Sequence, residues 1–268
     1  MAAPRQMALF LVALQFLTRL PVPSARDFQP VWLGESLRYF PLVGGLVGLV
    51  NVGVWWLSSL WFPATVAVGL MLAASLLVTG AFHEDGFADT CDGLGGGSTR
   101  ERALAIMKDS RIGAYGAIGL VVLLGLKWSA LLAVPTAAFA LTVVTAHVVS
   151  RWCAIGLVWA LPYARTDGEG KSVAFDGGLS AAQWLLSGAI GVTALAVPAI
   201  GSGMSAMTAT AAAVGFAAAA ASTLVAALYF RQRIGGYTGD CLGAVQQVSE
   251  LAFVLGALAM LRPAIPPG

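Results

Sequence analysis

Long apolar runs broken by short polar stretches dominate the chain. Near-continuous apolar segments fall at about 40–61, 64–82, 113–134, 135–157, 181–200, 205–228 and 242–261. Each is close to the ~20 residues that a helix needs to cross a hydrocarbon core. The pattern predicts an all-α fold, a polytopic transmembrane helical bundle of about seven spans. Two shorter helices are expected beside it. The run from Met7 to Leu17 is too short to span and suits an interfacial or packed helix, stopped by Pro21-Val22-Pro23. Ser98-Thr99-Arg100-Glu101 reads as a capping box that opens an amphipathic helix from Thr99 to about Ser110, with Leu104 and Met107 on one side. Ten-residue alternating strands are absent, which argues against an outer-membrane barrel. No internal repeat emerges, and residues 1–268 are read as one integral-membrane domain.

Composition strengthens the membrane reading. Hydrophobic residues make up 58% of the chain and charged residues 10%, against about 25% charged in an ordinary soluble domain. A formal net charge of +2 gives no reason to expect nucleic acid as a partner. Cys91, Cys153 and Cys241 have no CxxC spacing and read as small packing residues. No cleavable signal peptide is expected, since Thr18-Arg19-Leu20-Pro21 is unlike a small-residue cleavage site.

Counting turns puts three polar stretches on one side: the acidic segment after residue 82, the loop from Tyr163 to Asp176, and the loop from Arg231 to Asp240. These stretches hold Arg100, Arg102, Lys108, Arg111, Arg165, Lys171, Arg231 and Arg233, so the positive-inside rule turns that side to the cytoplasm. Lys127 and Arg262 fall toward the other face, where snorkelling would account for them.

The chemistry concentrates in His83-Glu84-Asp85-Gly86-Phe87-Ala88-Asp89-Thr90-Cys91-Asp92-Gly93. Asp85, Asp89 and Asp92 stand at i, i+4 and i+7, one face of a helix. Three like charges at a membrane edge call for a cation, and oxygen ligands suit Mg²⁺; a solvated acidic cap is the plainer alternative. The glycines at 93 and 95–97 are expected to break the chain, so that Lys108-Asp109-Ser110-Arg111 brings Asp109 and Arg111 up to the acidic face. Arg151, one turn after His147, needs an anion: the acidic cluster, a substrate phosphate, or neither if it snorkels. The loop Pro162 to Lys171 either closes over a nucleotide through Arg165 or Lys171, or is an ordinary connection; it is not a P-loop. Arg231, Arg233 and the glycines before Asp240 suit phosphate. Gln246, Gln247 and Glu250 form a polar face expected to pair within the bundle. Gly44 and Gly48 permit a helix interface, within one protomer or in a homo-oligomer.

Phe16-Leu17-Thr18-Arg19-Leu20-Pro21-Val22-Pro23, Tyr39-Phe40-Pro41-Leu42-Val43-Gly44, His83 to Gly93, Ile106 to Gly113, Pro162-Tyr163-Ala164-Arg165 and Gly236-Tyr237-Thr238-Gly239-Asp240 together resemble the cobalamin synthase family, the adenosylcobinamide-GDP ribazoletransferases. The resemblance implies a multi-pass enzyme in the lipid bilayer of the bacterial inner membrane that joins adenosylcobinamide-GDP to α-ribazole or its 5′-phosphate with Mg²⁺ and releases GMP. Asp85, Asp89, Asp92 and Asp109 are the expected metal ligands, and one acid or His83 would accept a proton. Arg111, Arg231 and Arg233, with Arg165, are the expected phosphate contacts, while Asp240 would serve metal, ribose or loop structure. A CDP-alcohol phosphotransferase is the runner-up: Asp89-Thr90-Cys91-Asp92-Gly93 opens its signature, but the Ala-Arg pair is missing. A cation-coupled transporter is the reading from a different class.

Overall fold

The computed structural model describes residues 2–23, 28–165, 179–201 and 205–261. Its helices in chain order are α1 (Ala2–Leu17), α2 (Val31–Ser36), a 3-10 turn (Leu37–Tyr39), α3 (Phe40–Ser58), α4 (Ala64–Thr79), α5 (Phe82–Gly96), α6 (Arg100–Ile106), α7 (Ala114–Ala133), α8 (Thr136–Ala160), α9 (Ala181–Gly201), α10 (Ala206–Ile234) and α11 (Gly239–Leu261). Among the described residues there is no strand, only an isolated bridge between Tyr163 and Tyr237. The all-α bundle is therefore as expected.

Among the described residues, five helical stretches are long and apolar enough to cross a membrane, namely 31–58, 114–133, 136–160, 206–234 and 239–261. The expectation was about seven. The difference lies partly in α4, which does not run on to Phe82: Gly80 (φ 65°) and Ala81 (φ 54°) are both left-handed, and α5 leaves at 89° to α4. The acidic α5 therefore does not prolong the line of α4; it crosses the beginnings of α7 and α11, beside Gly116 and Asp240. With α4 and α5 taken as one bent unit the count is six. The remaining expected span coincides with α9.

Burial separates inner from outer helices. α8 and α11 form the centre, whereas α10 turns Leu224, Val225 and Leu228 outward. Such outward leucines and valines suit lipid contact. Gly44 and Gly48 pack inside the chain: a Cβ on Gly48 would lie 2.9 Å from Val144 Cα, and one on Gly44 would strike the His147 carbonyl. Trp55 stacks on Phe139 (centroids 4.1 Å apart), while Trp56 and Trp61 are exposed at the end of α3 away from the acids.

α6 is shorter than expected, ending at Ile106, and Thr99 is its N-cap, accepting a hydrogen bond from Arg102 N (3.2 Å). The glycine stretch was expected to break the chain from residue 93. Instead α5 continues through Gly96 and the backbone becomes extended only at Gly97.

Candidate active site at one end of the bundle

Three segments distant in sequence are tied together beside α5. Ala164 N donates to Tyr237 O (2.8 Å) and Tyr237 N to Pro162 O (3.0 Å), joining the 162–165 segment to the turn between α10 and α11. Arg100 donates from Nε to Ile234 O and from Nη2 to Ala164 O, both 2.8 Å. Arg233 Nη2 donates to Gly97 O (2.6 Å) and Leu94 O (3.2 Å), satisfying carbonyls at the end of α5. The polar loops thus share one end of the bundle, as the turn count predicted. Lys171 and Arg262 lie outside the described residues.

α5 lies directly on α11. A Cβ on Gly86 would approach Asp240 Cα to 3.0 Å, and one on Gly243 would approach His83 O to 2.9 Å. This crossing brings Asp240 to the acidic face. Asp85 is exposed and Asp89 partly so. Burial, then the neighbouring carboxylates of Asp240, Asp85 and Asp92, push the Asp89 carboxyl up to about 6, with Arg165 pulling the other way. Arg165 Nη2 donates to Asp240 Oδ2 at 2.7 Å, and its Nε is buried without a hydrogen-bond partner. Thr238 Oγ1 also donates to Asp240 Oδ2 (3.2 Å).

The other expected site residues have different company. Asp92 is buried, its Oδ2 accepting from Gly113 N (2.7 Å) and its Oδ1 from Gly116 N (2.9 Å) at the start of α7. Asp109 is paired with Arg111 Nη2 (2.6 Å) on the surface, and this hydrogen-bonded guanidinium holds its carboxyl down at about 2. The pair sits on the α6–α7 connection, and none of its hydrogen bonds reaches α5. His83 is buried, with Nδ1 sealed from solvent and unpartnered. Arg231 is exposed. Among the described residues, no three His, Cys, Asp or Glu side chains converge closely enough to hold an ion by themselves. The donor set at the edge is nonetheless all oxygen and mutually repelling, and it suits a hard cation whose shell is completed by water and substrate phosphates.

Beneath this edge lies a buried polar network that the sequence only partly revealed. Glu250 accepts from Arg151 Nη1 (2.7 Å) and Lys127 Nζ (2.6 Å), and lies 3.1 Å from His147 Nδ1. Arg151 therefore finds its anion in Glu250, within the bundle. Lys127, read above as snorkelling, is 5% exposed and points inward to that same carboxylate. The physical reason is that a partner from another helix costs less than dragging an ammonium through hydrocarbon. His147 Nε2 meets Asn51 Nδ2 at 2.8 Å. Gln247 accepts from Lys127 Nζ (2.7 Å) and donates to Glu84 Oε1 (2.7 Å), linking the network to α5. The polar face at Gln246, Gln247 and Glu250 and the intramembrane Arg151 beside His147 were the sequence signals for it.

The family model described as cobalamin-5-phosphate synthase matches residues 9–258. A relative from Leptothrix cholodnii named adenosylcobinamide-GDP ribazoletransferase is 49% identical over 255 residues, covering 94% of this chain and 95% of its own. Relatives of the same name from Ralstonia nicotianae and Shewanella frigidimarina are each 43% identical, covering 92% and 96% of this chain and 93% and 96% of their own. No solved structure matches.

Proposed function

Because the chain belongs to the cobalamin-5-phosphate synthase family, we propose that it is an adenosylcobinamide-GDP ribazoletransferase of the bacterial inner membrane, with its active site facing the cytoplasm. A hydroxyl of α-ribazole, or of its 5′-phosphate, attacks the phosphorus on the cobinamide side of the diphosphate. The bond to the guanosine phosphate breaks and GMP leaves. Phosphoryl transfer of this kind is mostly positioning and charge neutralisation.

The observation that carries this reading is the meeting of Asp89, Asp240 and Arg165 at the exposed edge of a membrane bundle. Asp85, Asp89 and Asp240 would hold Mg²⁺, which neutralises phosphate charge when bound. Asp240, which packs against Gly86 of α5, takes the place in that set expected for Asp92 and Asp109, because Asp92 caps α7 and the Asp109–Arg111 pair stays on the α6–α7 connection. Arg165, already turned toward Asp240, is the guanidinium best set to meet a phosphate, with exposed Arg111 and Arg231 at the same end. Arg233 serves the carbonyls at the end of α5. The sealing of His83 Nδ1 turns the choice of proton acceptor toward the acids. The phospholipid-enzyme and transporter alternatives are set aside on the span of the family match.

GMP release by the purified protein in detergent, with both substrates and with or without Mg²⁺, tests the reading. Metal-dependent release that falls by more than about a hundredfold in Asp89→Asn is expected, a size typical of losing a charge-stabilising group. No release from the unmodified protein in competent lipid would overturn it.

A further inference from the structure

Lys127, Arg151, Glu250 and Glu84 are four ionisable side chains in the bundle interior, each less than a tenth exposed. Lys127 stands thirteen residues into α7 and Glu250 eleven into α11, roughly 16–20 Å from the acidic edge at 1.5 Å per residue. Without Glu84 this interior would hold two cations against one anion. An unbalanced charge at that depth is costly, and Glu84 supplies the missing negative charge.

Glu84 reaches the cluster through one amide. Gln247 turns its carbonyl oxygen to Lys127 Nζ (2.7 Å) and its amide nitrogen to Glu84 Oε1 (2.7 Å). The amide dipole is thus aligned between cation and anion, and its second N–H is satisfied by Gln246 Oε1 (2.8 Å). On the sequence Glu84 adjoins Asp85, and the Gly86–Gly243 crossing lies beside it. Gln247 stands seven residues after Asp240 on α11, on the same helical face. Whatever holds Glu84 to Gln247 therefore also sets α5 against Asp240.

We infer that Glu84 is a positioning residue: joined to Lys127 through Gln247, its carboxylate neutralises the buried cluster and fixes α5 where Asp85 and Asp89 face Asp240 and Arg165. This rests on the reading of that edge as a divalent-cation site. Glu84→Gln leaves the interior at a net charge of about +1, Lys127→Met at about −1, and the double variant neutral again.

The test measures Mn²⁺ binding by electron paramagnetic resonance, together with kcat and the KM for Mg²⁺, on protein in detergent checked for monodispersity. Each single variant is expected to bind Mn²⁺ about 10–100-fold more weakly, the range seen when outer-shell partners of metal ligands are lost, and to raise KM for Mg²⁺ more than it lowers kcat. The double variant is expected to recover most of the loss, an outcome that also answers a single variant failing to fold. Unchanged Mn²⁺ binding in Glu84→Gln, or a double variant no better than the worse single, overturns the positioning role. Asp89→Asn separates the two claims: if that variant binds Mn²⁺ as the unmodified protein does, the cation-site reading itself fails, whatever Glu84 does.

Discussion

Asp92 gives both carboxylate oxygens to backbone N–H groups that open α7. Those donors have no partner inside their own helix, and the helix dipole favours a negative charge beside them. A hydrogen bond to a charged group contributes about 1.5–3 kcal/mol, so losing both in Asp92→Ala is expected to cost about 3–6 kcal/mol of stability. Asp89→Asn, which relieves like-charge crowding on a carboxyl pushed up to about 6, should leave stability at neutral pH unchanged or raised. Denaturant unfolding in detergent distinguishes them, and equal curves for Asp92→Ala and the unmodified protein would remove the capping role. The shared register of Asp85, Asp89 and Asp92 was legible, because i, i+4 and i+7 spacing follows from helix geometry alone. What packs on each acid was not. The start of α7 covers Asp92, and Asp240 comes to Asp89 from the last helix. No local pattern encodes either arrival.

At the scale of elements, the right-angle turn from α4 into α5 lays the acidic helix across the beginnings of α7 and α11. Apolar residues run from Ala64 to Phe82 with only Thr65, Gly69, Ser75, Thr79 and Gly80 between them, so hydropathy reads one straight span. A break between two helices need not interrupt an apolar run, which is why the sequence concealed it. Gly80 alone hinted at it, since glycine enters the left-handed region without the strain that a Cβ brings. Ala81 does bear that strain at φ 54°. Gly80→Ala would add a second strained residue, and its Cβ would come within 2.5 Å of Arg19 Nε. A loss of about 1–2 kcal/mol is expected, with Ala81→Gly moving the other way by up to about 1 kcal/mol. Thermal unfolding of the two variants beside the unmodified protein checks the opposite signs; a shift of both in one direction would mean that the turn is not strained as described.

Over the whole molecule, the bundle is pinned by a network to which α3, α5, α7, α8 and α11 each contribute one or a few polar side chains: Asn51, Glu84, Lys127, His147 with Arg151, and Gln247 with Glu250. Apolar periodicity located most spans, and the turn count gathered the loops at one end, because both depend on the order of segments along the chain. The network depends on which helices touch, so Lys127 read alone looked like an interfacial lysine. Its energetics rest on balance more than on any one contact. Removing one partner of a buried ion pair strands the other charge and costs about 3–5 kcal/mol, a large share of a domain's ~5–15 kcal/mol. Glu250→Gln strands Lys127 and Arg151 together, with only Glu84 left against them, and should lose stability on that scale. Independent contacts would make Lys127→Met/Glu250→Gln worse still. If net buried charge dominates, the double variant leaves Arg151 against Glu84 and recovers at least about 1 kcal/mol of the loss. Denaturant unfolding of the two variants in the same detergent decides between these, since an additive loss in the double would mean that the individual bonds, rather than neutrality, hold the bundle together.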